Sequence, residues 1–265
     1  MDRAFHDLHK GPGILLLANA WDAGSARLIE HIGGKAIATT SAAVAWAHGY
    51  PDGDALPLAL LLATVREIAR AVRIPITVDM ETGYADDLSA LDTSIAGVID
   101  AGGIGMNIED GREPPEALCA KIAVARKTGE RLGVDFFINA RTDIYLRDLN
   151  PTGERVAAVL ARAKLYKDAG ANGLFVPGLI DPAEIREIAA AAGLPLNVLA
   201  WSGLLPATKL QILGVRRLSA GSGIAEGVWG LTAARAKAFL ADGQSDPLGE
   251  GSMSYGEINA LMRPR

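Results

Sequence analysis

Cysteine is almost absent from this sequence, which has a single one among 265 residues. One cysteine cannot form an internal disulfide, so the chain is not a cystine-stabilised scaffold of the secreted type. The same count excludes a zinc or iron–sulfur site built from several thiolates. An apolar core must therefore hold the fold, and the 49% of hydrophobic residues provide the material for it.

A basic excess and long apolar runs are missing as well. The net charge of -5 and the pI near 5.4 argue against a nucleic-acid binder. The most apolar stretch, Ala55 to Val65, contains Pro57 and is far shorter than the ~20 residues of a membrane-spanning helix. The run Ile14–Leu17 follows mixed charges instead of a basic segment, which argues against a signal peptide. We therefore expect a cytoplasmic protein with no nucleic-acid or membrane partner.

Short apolar runs recur along the chain and predict strands. Most of these runs are continuous, which is typical of parallel strands that are buried on both faces. The predicted strands are Ile14–Ala18, Ala36–Thr40, Ile76–Asp79, Ile104–Glu109, Phe136–Ala140, Gly173–Val176, Leu196–Ala200 and Arg217–Ala220.

Longer amphipathic stretches alternate with these runs and predict helices. Asp181-Pro182 supplies an N-cap and a first turn, and Gly102, Gly170 and Gly193 stand where helices should end. Strand followed by helix eight times in roughly 250 residues predicts a TIM-type (β/α)8 barrel. We expect one domain over residues 1–265, with a C-terminal tail from about residue 242. An open doubly wound sheet with fewer strands is the alternative. The predicted helices are Gly24–Ile32, Leu58–Val72, Asp87–Ala101, Pro115–Leu132, Gly153–Ala169, Pro182–Ala192, Leu204–Leu213 and Ile224–Leu240.

Charged side chains stand where several predicted strands end. In a TIM barrel the chemistry lies at these carboxyl ends, so Asp52, Asp79, Glu81 and Glu109 should converge. Grouped carboxylates raise one another's pKa, and a divalent cation such as magnesium relieves that cost. Arg141, one strand further on, offers a fork of donors to a substrate carboxylate or a developing oxyanion. The alternative is a set of solvated loop charges or helix-capping ion pairs.

Several separated segments carry a resemblance to a known family. They are Val78–Tyr84, Asn107–Asp110 and Ile138–Asp143, together with Thr40–Ala43 followed by Gly49–Asp52, and Ala169–Asn172. In this order, over roughly residues 12 to 240, the sequence resembles the isocitrate lyase/phosphoenolpyruvate mutase superfamily. The resemblance implies a TIM-type barrel, Mg²⁺ or Mn²⁺, and a 2-oxo acid or its enolate as the common intermediate.

Carried over position by position, the resemblance implies a role for each charged residue. Asp79, Glu81 and Glu109 match metal-site carboxylates, and Glu109 would act directly or through water. Glu81 stands where many members have aspartate. Asp52 matches a catalytic residue that touches the metal waters or orients the reacting group.

The resemblance also implies a set of substrate-binding residues. Arg141 looks like the arginine that binds the substrate and stabilises the enolate. Ser41, Ala42 and Ala43 resemble a turn whose backbone N–H groups hold a substrate carboxylate. Asn197 resembles a polar residue that lines the pocket.

One departure from the family pattern concerns the loop after predicted strand 4. Lyases of the family carry a long gating loop there, with a cysteine as the usual acid/base. Here Glu109 is followed almost directly by a predicted helix, and Cys119 lies within that helix between Leu118 and Ala120. The cysteine is therefore interpreted as a packed, unreactive thiol, which argues against isocitrate or methylisocitrate lyase activity.

The surviving features predict a magnesium-dependent lyase or decarboxylase that cleaves a C–C bond of a small 2-oxo or 2-hydroxy carboxylic acid through an enolate. A C–P bond enzyme, such as a phosphonopyruvate hydrolase or a mutase, is one alternative. A non-catalytic barrel that binds a metal–oxo-acid complex is another. Participation of His48 or Tyr84 is left open.

The last predicted helix, Ile224–Leu240, carries an apolar stripe that includes Trp229. In the superfamily this helix is exchanged between protomers, so the resemblance implies a homodimer or homotetramer. Packing of the helix against its own barrel is the alternative.

Overall fold

The computed structural model describes residues 1–11 and 13–263, in which parallel strands form one barrel-like sheet. The sheet order is β1-β9-β8-β7-β6-β5-β4-β3-β2, so each strand from the third onward pairs with its neighbours in sequence. This order confirms the TIM-type barrel and excludes the open doubly wound sheet. The strands are β1 (Leu15–Leu17), β2 (Asn19–Ala20), β3 (Ile37–Thr39), β4 (Ile76–Asp79), β5 (Gly105–Glu109), β6 (Phe137–Arg141), β7 (Gly173–Val176), β8 (Leu196–Leu199) and β9 (Arg217–Ser219).

The first predicted strand, Ile14–Ala18, corresponds to β1, and a short second strand, β2, follows it after Ala18 and forms a seam in the barrel. Among the described strands, β1 pairs with β9 alone, through Leu15–Leu17, and β2 pairs with β3 alone, through Asn19 and Ala20. The Asn19 side chain spans the seam, because its Nδ2 donates to Thr39 O at 2.8 Å and its Oδ1 accepts from Gly221 N at 2.9 Å. The barrel is therefore closed at this point partly by a side chain.

Helices cover the outside of the sheet and begin at the caps that the sequence supplies. Asp22 and Ser25 form a capping box, and the Asp87 and Asp181 side chains accept from N–H groups of the first helical turns. The helices are α1 (Asp2–Leu8), α2 (Ala23–His31), α3 (Ser41–Ala47), α4 (Leu58–Ala71), α5 (Leu88–Asp100), α6 (Pro115–Leu132), α7 (Arg155–Ala169), α8 (Pro182–Ala191), α9 (Ala207–Ile212), α10 (Gly223–Asp242), α11 (Asp246–Gly249) and α12 (Tyr255–Met262).

The N-terminal helix α1 packs at the amino end of the barrel, opposite the predicted site. Phe5 is fully buried and meets Phe137 of β6 edge-on, with ring centroids 5.2 Å apart. His9 stacks on the same ring at 4.1 Å. Access to the barrel interior from this end is therefore blocked by packed rings, so the functional cavity has to open at the other end.

The last barrel helix and the tail are the most exposed part of the fold. Apolar side chains of α10, among them Val228, Trp229 and Leu231, are about half exposed. The tail returns to the barrel, where Arg27 Nε of α2 donates to Leu261 O of α12 at 2.9 Å. Exchange of α10 between protomers, the oligomeric state, the domain bounds and the cytoplasmic location stay predictions. Among the described helices, none is long and apolar enough to cross a membrane.

Candidate active site

A cavity of about 190 Å³ opens at the carboxyl ends of the strands. Arg141 is the one basic side chain among the described residues that line it, and it faces Asp79 and Asp52 there. The complete lining consists of Asn19, Thr40, Ser41, Ala42, Asp52, Asp79, Asn107, Arg141, Leu146, Phe175, Pro177, Leu199, Trp201, Ser219, Gly221 and Ser222.

Arg141 ends β6 and is clamped between two buried carboxylates. Its Nε donates to Asp143 Oδ1 at 2.7 Å, and its Nη1 lies 2.7 Å from Glu109 Oε2. Burial lowers the pKa of Arg141, but the charges of Glu109, Asp143 and Asp79 outweigh it and raise the pKa above its usual range. The ring of Phe175 lies beneath the guanidinium, 6.0 Å from Cζ. The guanidinium is therefore a permanently charged group in a fixed orientation.

Asp143 is held in turn by a second buried ion-pair network. Its Oδ2 accepts from Arg147 Nε at 2.7 Å, and its backbone N–H donates to Asp110 Oδ1 at 2.9 Å. Asp110 Oδ2 accepts from the Arg162 guanidinium and from the Tyr166 hydroxyl, the latter at 2.6 Å. Both aspartates are buried and multiply paired, so the cavity arginine rests on a rigid base.

Asp79 ends β4 on the other side of the cavity. Its Oδ2 accepts from the backbone N–H of Ser41 at 3.3 Å, and its own N–H donates to Thr39 Oγ1 at 2.8 Å. Its Oδ1 is shielded from solvent and has no hydrogen-bond partner in the described chain. Burial raises the pKa of Asp79, Arg141 lowers it, and Asp52 raises it further. A buried carboxylate oxygen without a hydrogen-bond partner, on a residue that lines a cavity, is suited to a cation.

Glu81 follows Asp79 by two residues but does not line the cavity. It accepts from Asp54 N at 2.6 Å and from the Tyr84 hydroxyl. Burial raises the pKa of Glu81 to about 7, against the effect of the Tyr84 hydrogen bond. Asp54, Glu81 and Tyr84 all have positive φ, of 57°, 47° and 51°, which non-glycine residues adopt at a cost. The turn is therefore strained where it ties the Asp52 loop to β4.

Glu109 ends β5 behind Arg141 and is also buried. Burial raises the pKa of Glu109 to about 8, although the positive charge of Arg141 opposes the shift. Asp79, Asp143 and Glu81 add to the rise, because each is a nearby negative charge. Burial is thus the main cause of the raised pKa of Asp79, Glu81 and Glu109, and neighbouring carboxylates add to it.

The residues fit a magnesium ion that is bound mainly through water. Within residues 1–11 and 13–263, no three His, Cys, Asp or Glu side chains are arranged to hold a metal ion together. Mg²⁺ takes one or two carboxylates directly and keeps several waters. Asp79 and Asp52 line the cavity and can serve as ligands, whereas Glu81 and Glu109 do not line it and are engaged by Tyr84 and by Arg141.

The predicted substrate-binding residues divide between the cavity and its surroundings. Ser41 and Ala42 line the cavity, but they belong to the first turn of α3 and not to a free turn. Ala43 is fully buried and Asn197 lies beneath the cavity, so neither is a lining residue. The Asn197 amide is engaged by Asn139 and Ser219. The roles assigned to these residues stay predictions.

His48 and Tyr84, whose participation the sequence leaves open, do not line the cavity. His48 Nε2 is 2.9 Å from Thr64 Oγ1, and Tyr84 is bound to Glu81. Asn107 and Ser219, which stand where predicted strands 4 and 8 end, line the cavity although the sequence assigned them no role, and Asn19 was missed. The signal that could have found Asn19 is a polar side chain directly after an apolar strand.

The short connection after β5 is as predicted. β5 ends at Glu109 and α6 begins at Pro115, which leaves five residues between them. Cys119 is half-buried within α6, and burial raises the pKa of its thiol. A thiol of this kind stays protonated at neutral pH, so it does not replace the cysteine of a gating loop.

The protein is thus a TIM-type barrel with an arginine and two aspartates around one cavity, an arrangement suited to an anionic ligand beside a cation. The family model described as phosphoenolpyruvate phosphomutase matches residues 5–240. The chain belongs to this family.

The chain has similar proteins along nearly its whole length. It is 35% identical over 265 residues to an uncharacterised Mycobacterium tuberculosis protein, covering 98% of this chain and 96% of that one. A Burkholderia cenocepacia protein solved as a candidate phosphonomutase has 40% identity and a TM-score of 0.85, with coverage of 89% and 98%. A Corynebacterium glutamicum protein named probable 2-methylisocitrate lyase 2 is 31% identical over 218 residues, with coverage of 77% and 69%.

More distant relatives carry names for several reactions. An oxaloacetate decarboxylase of Bradyrhizobium diazoefficiens is 29% identical over 199 residues, covering 70% of this chain and 66% of its own. A phosphonopyruvate hydrolase solved with oxalate and Mg²⁺ has the same fold at 21% identity and a TM-score of 0.86, with coverage of 98% and 94%. The names differ in the bond that is cleaved, so the chemistry has to be argued from this chain's own cavity.

Proposed function

We propose that this protein is a magnesium-dependent lyase that cleaves a C–C bond of a small 2-oxo carboxylic acid through an enolate. The observation that supports this proposal is that Arg141 and Asp79, whose Oδ1 has no hydrogen-bond partner, line the same small cavity. Decarboxylation of an oxaloacetate-like acid is the simplest version, because CO2 leaves unassisted and water can protonate the enolate. The oxaloacetate decarboxylase and methylisocitrate lyase relatives support a reaction of this type.

Arg141 has the central part in this proposal. Its Nε and Nη1 are engaged by Asp143 and Glu109, so the guanidinium cannot rotate when negative charge develops on the oxo oxygen. A preorganised charge of this kind stabilises the transition state without reorganisation at the moment of reaction. When bound, Mg²⁺ supplies a further positive charge for the same oxygen and for an adjacent carboxylate.

Asp79 and Asp52 hold the cation in this proposal, and Glu81 and Glu109 orient its waters. The Mg²⁺ in the phosphonopyruvate hydrolase structure supports this choice of cofactor. Asp79 is half-buried and has an unpaired oxygen, which gains a partner when the cation binds. The cation should therefore favour the ionised form of Asp79. Ser41 and Ala42, at the start of α3, supply small side chains that let a carboxylate approach the backbone.

Cleavage of a C–P bond is less well supported by the cavity. A phosphonate carries more negative charge than a carboxylate, and Arg141 is the single basic residue of the described lining. Arg112 and Lys209, the other cations weighed for this purpose, are exposed and do not line the cavity. The candidate phosphonomutase at 40% identity nevertheless makes phosphonopyruvate a necessary member of the substrate panel.

The test is turnover of a panel with and without Mg²⁺: oxaloacetate, isocitrate, 2-methylisocitrate, malyl-type acids and phosphonopyruvate. We expect Mg²⁺-dependent release of pyruvate or a related oxo acid from a C–C substrate. Arg141→Met should lower kcat about 100-fold or more, on the scale of losing one preorganised donor, whereas the exposed control Arg112→Met should not. Phosphate release from phosphonopyruvate alone would establish the C–P alternative. Oxalate binding without any turnover would establish the non-catalytic one.

A further inference from the structure

A buried arginine lies in the barrel interior beneath the cavity. Arg217 of β9 is 1% exposed and is the largest fully buried side chain of the described chain. Its Nη2 donates to Asn107 Oδ1 at 3.2 Å and its Nε to Ser219 Oγ at 3.5 Å. Its Nη1 has no partner, and no described carboxylate lies within ion-pair distance of it. Burial lowers the pKa of Arg217 to about 9 and the charge of Asp79 opposes that shift, so the buried guanidinium is only partly compensated, which is costly.

Arg217 fixes which end of the Asn107 side chain faces the cavity. Asn107 Oδ1 accepts from Arg217 Nη2 and also from Asn139 Nδ2, the latter at 2.9 Å. Two donors can meet only the oxygen of an amide, so the Nδ2 group of Asn107 has to point the other way. Asn107 is a lining residue of the cavity, and its Nδ2 donates to no other described residue.

The cavity position of this amide places it among the groups proposed for the reaction. Asn107 of β5 is the register partner of Asp79 on β4, and Glu109 of the same strand pairs with Arg141. Its free N–H groups therefore lie between the carboxylate and arginine sides of the cavity. The charge of Arg217 polarises the amide through the shared hydrogen bond, which makes Asn107 a better donor.

We propose that Asn107 donates a hydrogen bond to an anionic oxygen of the bound oxo acid, and that Arg217 is the positioning residue that aims this amide. The inference rests on the proposed function, because its ligand is the same small carboxylate. Asn107 is thus a specificity residue for this anionic group.

The test is a double-mutant cycle read out as oxalate affinity in the presence of Mg²⁺, measured by titration calorimetry. Asn107→Ala and Arg217→Met should each weaken oxalate binding about tenfold, the scale of one hydrogen bond with a charged group. The double variant should lose no more than Asn107→Ala alone, because Arg217 acts through Asn107. Arg217→Lys should restore part of the affinity.

Arg216→Met is the matched control. Arg216 is the neighbouring cation on the outside of the barrel, and its guanidinium contacts only Val215 O. This variant removes the same formal charge and should bind oxalate as the wild type does. If Arg216→Met lost as much oxalate affinity as Arg217→Met, net charge would set the affinity and the orientation of the Asn107 amide would not. That result would overturn the proposal.

Two further results bear on folding and on the parent function. Losses that add in the double variant, or unchanged binding by a folded Arg217→Met protein, would overturn the inference. If Arg217→Met does not fold, Arg217→Lys replaces it in the cycle. Oxalate binding that is unchanged both in Arg217→Lys and in Asn107→Ala would then overturn the inference. If the wild type does not bind oxalate, the proposed function is contradicted, and the inference that rests on it is contradicted too.

The NMR signals of the Asn107 side-chain amide distinguish a change in its orientation from a general loss of stability. The side-chain amide protons of Asn107 should shift when oxalate is added to the wild type with Mg²⁺. In Arg217→Met the free protein should already show a displaced or broadened Asn107 signal, and the oxalate-induced shift should be smaller. An Asn107 signal that ignores oxalate in the wild type would contradict direct contact.

Discussion

The two sides of the cavity are built in opposite ways. The arginine side, made of Arg141, Asp143 and Asp110, has every charge paired with a neighbour of opposite sign. On the carboxylate side, Asp52, Asp79 and Glu81 form no ion pair with a described residue, and Asp79 keeps an unpaired oxygen. The charges of the arginine side are thus balanced by their neighbours, whereas those of the carboxylate side lack a directly bound positive group among the described residues.

The backbone is regular on the arginine side of the cavity and irregular on the carboxylate side. Arg141 and Glu109 end regular strands that pair through five consecutive positions. Glu81 and Tyr84, by contrast, have positive φ in a turn. Rigid ladder hydrogen bonds therefore support the arginine side, and strained loop residues support the carboxylate side, where binding is expected to change stability most.

The largest effect should come from breaking the arginine side. Asp143→Ala leaves Arg141 and Arg147 without their buried partner, so the free energy of unfolding should fall by about 3–5 kcal/mol. Urea denaturation measures this loss. The exposed Lys164–Asp168 pair supplies the control, because Asp168→Ala should cost less than about 1 kcal/mol. Equal losses would show that the network contributes no more than a surface pair.

The next effect concerns the cation. Mg²⁺ with oxalate should raise the Tm of the wild type, and Asp79→Asn should abolish that rise. Without Mg²⁺ the variant should be at least as stable as the wild type, because a buried carboxylate without a partner is removed. Asp86→Asn changes an exposed carboxylate on the same loop and should keep the full rise. A rise that survives in Asp79→Asn would remove Asp79 from the metal site.

A smaller effect should appear in the pH dependence of the metal-free protein. Burial raises the pKa of Glu81 to about 7 and that of Glu109 to about 8, from an ordinary value of 4.5. The folded state therefore binds more protons than the unfolded state between about pH 4.5 and 8, so stability should fall as pH rises through this window. Thermal unfolding at a series of pH values measures the slope.

Two changes should flatten this slope. Mg²⁺ favours the ionised carboxylates, and Glu81→Gln removes one of the titrating groups. Parallel profiles for the wild type and Glu81→Gln would show that Glu81 ionises in the folded protein as it does in water. The part of the slope that Glu81→Gln removes therefore belongs to the carboxylate side, and the part that remains belongs to Glu109 beside Arg141.

The smallest effect should come from the strained turn. Tyr84→Phe removes the hydroxyl that donates to Glu81 and should cost about 1 kcal/mol, the typical net value of one hydrogen bond. Tyr50→Phe is the control, because Tyr50 is exposed. Chemical denaturation without Mg²⁺ should resolve the difference. A loss no larger than that of Tyr50→Phe would mean that the Tyr84 hydrogen bond adds nothing to the turn.

Much of the fold could be predicted from the sequence because its signals are local. Continuous apolar runs mark strands buried on both faces, and Asp22, Asp87 and Asp181 cap helices through contacts within one turn. α3 was missed because Ser41–Ala47 is short and lies directly after a strand, where its alanines fit a turn equally well. The two-residue strand β2 was missed because its pairing with β3 is set across the sheet and not along the chain.

The site was predictable in part for the same reason. Strand exits placed Arg141, Asp79 and Asp52 around one cavity, because parallel strands bring their carboxyl ends together. The inward direction of Arg217 and Asn107 could not be read from single strands of three to five residues. Their contacts join residues 110 positions apart, which only the closed barrel creates.

The seam at Ala18 has a consequence for how the barrel opens. In the described sheet, neither β1 nor β2 has ladder partners on both sides, so their amide hydrogens should exchange faster than those of β5 and β6, which pair at five positions. Transient separation of the seam would admit water to the interior amides from beside the cavity. The Asn19 side chain holds the seam closed through Thr39 and Gly221, so the rate at which its hydrogen bonds break should set the rate of this exchange.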